Sequence, residues 1–61
     1  MEALRNEIAS IILKVNGEIQ TLNNARHLDA DQKAENEEKI AFLEKAKEGL
    51  REAKYYIGLA N

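Results

Sequence analysis

The sequence predicts an all-α protein: an antiparallel two-helix hairpin that pairs with a second copy into a homodimeric four-helix bundle. Three observations point there. Apolar residues recur every three or four positions on both sides of a polar centre, which is the period of a helix. The centre itself, Leu28-Asp29-Ala30-Asp31-Gln32, has the chemistry of a helix start. A chain of 61 residues with no cysteine is marginal on its own core and has no disulfide to staple it, so a partner chain is the remaining source of stability. The chain reads as a single domain, 1–61. A helix is expected over about 2–24, a turn over about 25–29 and a second helix over about 30–58.

In the first arm, Met1, Leu4, Ile8, Ile11, Val15, Ile19 and Leu22 form a helical stripe with one stutter after Val15. At about 1.5 Å per residue the arm is roughly 35 Å long. Ile12 and Leu13 broaden the stripe beyond what one partner helix covers. A competing pattern runs through the same residues, because Asn16-Gly17 between β-formers is a β-hairpin signal. An isolated two-stranded hairpin is marginal in water, and the helical stripe continues across Asn16-Gly17. The arm is therefore expected to be helical, with Gly17 costing about 1 kcal/mol against alanine. Whether Asn16-Gly17 kinks that helix or makes a hairpin turn is open at this level.

The stripe lapses over Asn23-Asn24-Ala25-Arg26-His27, where asparagine suits the left-handed backbone of a helix end. Asp29 then reads as an N-cap, Gln32 as its capping-box partner and Leu28 as the apolar residue before the cap. Asp31 and Glu35 place negative charge where the helix dipole favours it.

The second arm carries Ile40, Leu43, Ala46, Leu50, Ala53 and Ile57 on one face. Glu35–Lys39, Glu44–Lys47 and Glu48–Arg51 have the spacing of helical ion pairs. A turn centred near residue 27 makes facing residue numbers sum to about 54. Leu4 then meets Leu50, Ile8 meets Ala46 and Ile11 meets Leu43. In that register Tyr55, Tyr56, Ile57 and Leu59 run past the first arm. They need cover from another chain, as does the outer surface carrying Ile12, Leu13 and Phe42.

Composition narrows the function classes. The net charge is −2 and the pI about 5.3, with no basic excess of the kind that marks nucleic-acid or anionic-membrane binding. The longest apolar run, Ile11-Ile12-Leu13, is far short of a membrane span. The first residues do not make a signal peptide, since charges recur at Glu7 and Lys14, so a cytoplasmic location is expected.

The segment Leu28-Asp29-Ala30-Asp31-Gln32-Lys33-Ala34-Glu35 resembles the turn of the Rop-like family, plasmid RNA-binding helical hairpins that dimerise into four-helix bundles. Chain length and turn position are also similar. The resemblance implies the same architecture and, as a function, RNA binding. That family contacts RNA through polar, basic and aromatic side chains on its first helices. The aligned positions here, Glu2, Ala9, Leu13, Gly17 and Asn24, are of other types.

Residues with chemical potential are few. His27, the one histidine, sits in the expected turn without a second ligand and reads as an exposed turn residue. Asp29 and Asp31 lack the glycine and distal glutamate of a calcium loop. Glu35, Glu37 and Glu38 read as a solvated face, and Ser10 has no base partner. Gly17, Gly49 and Gly58 mark either close backbone approach or tolerated defects. Lys47, Arg51, Lys54 and Tyr55 share a helix face, and basic groups beside an aromatic ring suit a phosphate or a nucleotide base. The bland alternative is a solvated face paired with Glu44, Glu48 and Glu52.

The leading expectation is a small non-enzymatic protein that needs no cofactor. It would act as a homo-oligomer and as a regulator or inhibitor of another protein, of plasmid or phage type by its size. Ile12, Leu13, Phe42, Tyr56, Ile57 and Leu59 are its candidate self-association or partner surface. The alternatives are an oligomer that captures an anionic small ligand, such as a nucleotide, through Lys47, Arg51, Lys54 and Tyr55, and the RNA binding that the resemblance implies. No catalytic constellation is present in the sequence.

Overall fold

A computed structural model describes residues 2–60. They form two helices, α1 (Glu2–Asn23) and α2 (Ala30–Ala60), packed antiparallel as a hairpin. The apolar stripes drive the packing, since neither helix can bury its own. α1 runs unbroken through Asn16-Gly17, so the β-hairpin pattern is not used. Thr21 Oγ1 donates to the Gly17 carbonyl at 2.9 Å. α2 passes through Gly49 and Gly58 to Ala60, two residues beyond the expected end. Met1, the first residue of the apolar stripe, lies outside the described residues.

The start of α2 follows from its sequence. Asp29 Oδ1 accepts from the Gln32 backbone N–H at 2.8 Å, and Gln32 Oε1 accepts from the Asp29 N–H at 3.2 Å. This is a closed capping box, and it satisfies two otherwise orphaned N–H groups. α1 ends with Asn24 N–H donating to the Gln20 carbonyl. The left-handed residue of the connection is His27, with φ 61°, rather than an asparagine.

The register differs from the expected one. Arg5 lies against Gly58, and Asn16 is hydrogen-bonded to Lys47, so facing residue numbers sum to 63 rather than about 54. α1 therefore covers α2 to its C-terminal end, and Tyr55, Tyr56, Ile57 and Leu59 do not overhang. The overhang is at the other end. Ala30–Lys39 extends past Asn23, and residues 24–29 run back alongside it with Leu28 half-buried. This register gives every turn of α2 a neighbour, either α1 or the connection. The expected one would leave the last two turns bare.

The helices are also rolled by part of a turn from the expected faces, so that Arg5 and Ile12 replace Leu4 and Ile11, and Lys47 and Lys54 replace Ala46 and Ala53. The half-buried seam of α1 is Arg5, Ile8, Ile12, Val15 and Leu22, with Ile19 buried. The seam of α2 is Asn36, Ile40, Leu43, Lys47, Leu50, Lys54 and Ile57. Both follow a strict 3–4 heptad spacing. Arg5, Lys47 and Lys54 take seam positions because their aliphatic stems pack there like apolar side chains. Leu4 and Ile11, expected in the seam, are each 44% exposed, and Ala46 and Ala53 are exposed beside them.

Candidate functional site

The seam divides the molecule into two long edges of different chemistry. On one edge Glu18, Leu22, Lys39, Phe42 and Leu43 line a shallow depression. Stepping back by sevens from Glu18 along α1 gives Ile11 and Leu4. Stepping forward by sevens from Lys39 along α2 gives Ala46, Ala53 and Ala60, and two such steps from Phe42 give Tyr56. Heptad steps return to the same side of a helix in this packing, so these residues continue the depression as one apolar edge. Phe42 is 65% exposed there and Tyr56 59%.

On the opposite edge Arg5, Ile12, Arg51, Lys54 and Tyr55 line a second depression. Arg5 and Ile12 come from α1, and the other three from α2. The Tyr55 ring stands edge-on to Tyr56, with centroids 5.3 Å apart and planes at 72°, a favourable aromatic geometry. Arg5 Nε is buried and has no hydrogen-bond partner. A Cβ built on Gly58 would touch the Arg5 guanidinium at 3.5 Å, so the glycine leaves that flank of the side chain open.

Between these edges lies the polar cross-link of the seam. Lys47 Nζ donates to Asn16 Oδ1 at 3.0 Å and stands 3.5 Å from Glu44 Oε2. This is the ion pair formed among the described residues. Glu35–Lys39 and Glu48–Arg51, expected from spacing, do not close.

Of the four residues expected to form a basic and aromatic patch, the structure brings Arg51, Lys54 and Tyr55 together. Lys47 is set apart by its bond to Asn16. Arg5 joins the patch from the other helix, and sequence reasoning missed it. The available signal was its position seven residues before Ile12, which takes a seam position. Of the expected association surface, Leu13, Phe42, Tyr56 and Leu59 are exposed. Ile12 and Ile57 are instead half-buried inside the hairpin: the roll turns Ile12 inward, and the shifted register lays α1 alongside Ile57. Phe42 and Tyr56 lie on the apolar edge, while Leu13 and Leu59 lie away from it by helical phase.

His27 and Ser10 are exposed, and Asp29 is engaged in the helix cap. No described helix is long and apolar enough to cross a membrane. No protein-family model, curated protein or solved structure matches the chain.

Proposed function

We propose that this chain is a non-enzymatic binding protein that works as a homodimer, with two hairpins pressing their apolar edges together into a four-helix bundle. The observation that carries this reading is exposed area. The hairpin presents 4885 Å² to solvent, whereas a folded monomer of 6.9 kDa exposes about 4000 Å². The excess, about 900 Å², is close to the roughly 800 Å² that each partner contributes to a standard interface. The Cα radius of gyration of 14.5 Å likewise exceeds the ~10.5 Å of a compact chain this long. The apolar edge supports the same reading. Leu4, Ile11, Phe42 and Tyr56 offer large side chains, and Ala46 and Ala53 let another helix come close.

In such a dimer Leu13, 71% exposed, and Leu59, 64% exposed, stay outside. They are the apolar side chains available to a target protein, and the reading as a small regulator rests on them.

Sedimentation equilibrium tests the assembly. The native chain should run as a dimer at micromolar concentration. Phe42→Glu and Ile11→Glu should each shift it toward monomer, and Leu13→Glu should leave it dimeric. A native chain that is folded and monomeric at that concentration would refute the proposal.

A further inference from the structure

We propose that Arg5, Arg51, Lys54 and Tyr55 form a binding site for a small phosphate-bearing anion that carries a planar ring. The site lies on the basic edge, opposite the apolar one, and all four residues come from a single hairpin.

Four observations converge on it. First, three of the nine basic side chains, from two helices, line one depression, in a chain whose net charge is −2. Second, none of the three forms an ion pair among the described residues, whereas Lys47, one turn away from Arg51, does so with Glu44. Glu48 and Glu52 flank Arg51 in sequence, yet neither closes a pair with it. Third, Arg5 Nε–H is buried without an acceptor. A buried unsatisfied donor on a charged group is unfavourable, and a phosphate oxygen is the acceptor its guanidinium fork fits best, two N–H groups to two oxygens. Gly58 carries no Cβ to press on that guanidinium, so the side chain has room to adjust to a ligand. Fourth, the Tyr55 ring borders the cations and is braced by Tyr56. An exposed aromatic ring offers a stacking surface to a base. Charge alone would suit any phosphate. The tyrosine beside it selects one attached to a flat ring.

Isothermal titration calorimetry with ADP and with inorganic pyrophosphate tests the assignment. The native protein should bind ADP, and bind pyrophosphate about tenfold more weakly for want of a ring. Tyr55→Leu should reduce ADP to the level of pyrophosphate and leave pyrophosphate unchanged. Arg51→Gln and Arg5→Gln should each weaken both probes by about tenfold or more. Arg5 packs in the seam, so Arg5→Lys serves as a second variant. It keeps the charge and the stem but loses the fork, and its affinity should fall several-fold with the circular dichroism unchanged. Lys39→Gln, on the other edge, should bind as the native protein does. Absence of heat with both probes at millimolar concentration would overturn the proposal. So would equal losses from Lys39→Gln and Arg51→Gln, or a stem-loop RNA bound more tightly than ADP with that pattern of equal losses, since either marks diffuse charge rather than a site.

Discussion

Replacing Asn16 by leucine should destabilise the hairpin by about 1 kcal/mol, and adding Lys47→Met should restore most of the loss. The seam is apolar at its other central layers, so the bond from Lys47 Nζ to Asn16 Oδ1, 3.0 Å long, is the polar tie between the two helices there. A hydrogen bond to a charged group contributes about 1.5–3 kcal/mol where water is excluded. The Lys47 side chain is 17% exposed, and water reaching its ammonium lowers that toward 1 kcal/mol. The Glu44 contact adds a few tenths at most, being a 3.5 Å pair to a side chain 49% exposed. Asn16→Leu strands the ammonium against a methyl group. Lys47→Met keeps the methylene packing and removes the charge, so the double variant presents an apolar pair of similar volume. Urea denaturation of the two single variants and the double variant at one protein concentration gives the coupling energy. Asn16→Leu alone as stable as the native protein would show that solvent fully serves the Lys47 ammonium, and the cross-link would then have no part in stability.

Three further outcomes are expected. Asp29→Ala removes the acceptor of the 2.8 Å cap bond and should cost about 1 kcal/mol, a fall in Tm of about 4–8 °C by thermal circular dichroism. His27→Asn should raise stability by about 0.5 kcal/mol, because asparagine tolerates the left-handed backbone that His27 occupies at φ 61°; an unchanged or lower Tm would contradict this. Gly17→Ala should stabilise α1 by about 1 kcal/mol, since nothing lies within 4 Å of the added methyl. A lower Tm for that variant would mean that residue 17 needs the conformational freedom of glycine.

The two helices and the cap were legible because they are local. Leu28, Asp29 and Gln32 sit within one turn, and their chemistry decides the start of α2 whatever the rest of the chain does. The roll and register of the helices were not, because apolar counting weighs side chains by type. Leu4 and Ala46 look like seam residues on that basis, and Arg5 and Lys54 do not. The packed helices weigh stems and ends separately, so a lysine stem fills a seam position as well as an alanine does. The apolar stripe is also wider than one neighbouring helix can cover. Periodicity alone does not say which rim of a wide stripe stays outside. The basic patch was half legible for the same reason: Arg51, Lys54 and Tyr55 are helical neighbours, whereas Arg5 arrives through the register.

The connection that runs back along α2 makes the two ends of the molecule open differently. From Ile40 onward α2 is braced by a helix, while Ala30–Lys39 is braced by six residues with few backbone hydrogen bonds of their own. Local opening needs fewer contacts broken at that end. Amide hydrogen exchange should therefore be fastest in the first turns of α2 and slow toward Leu43 and Leu50. A protease acting on the native protein would cut first near Arg26. Both helices would come away whole, and the lifetime of the nicked hairpin would measure how firmly the seam holds them without the covalent link.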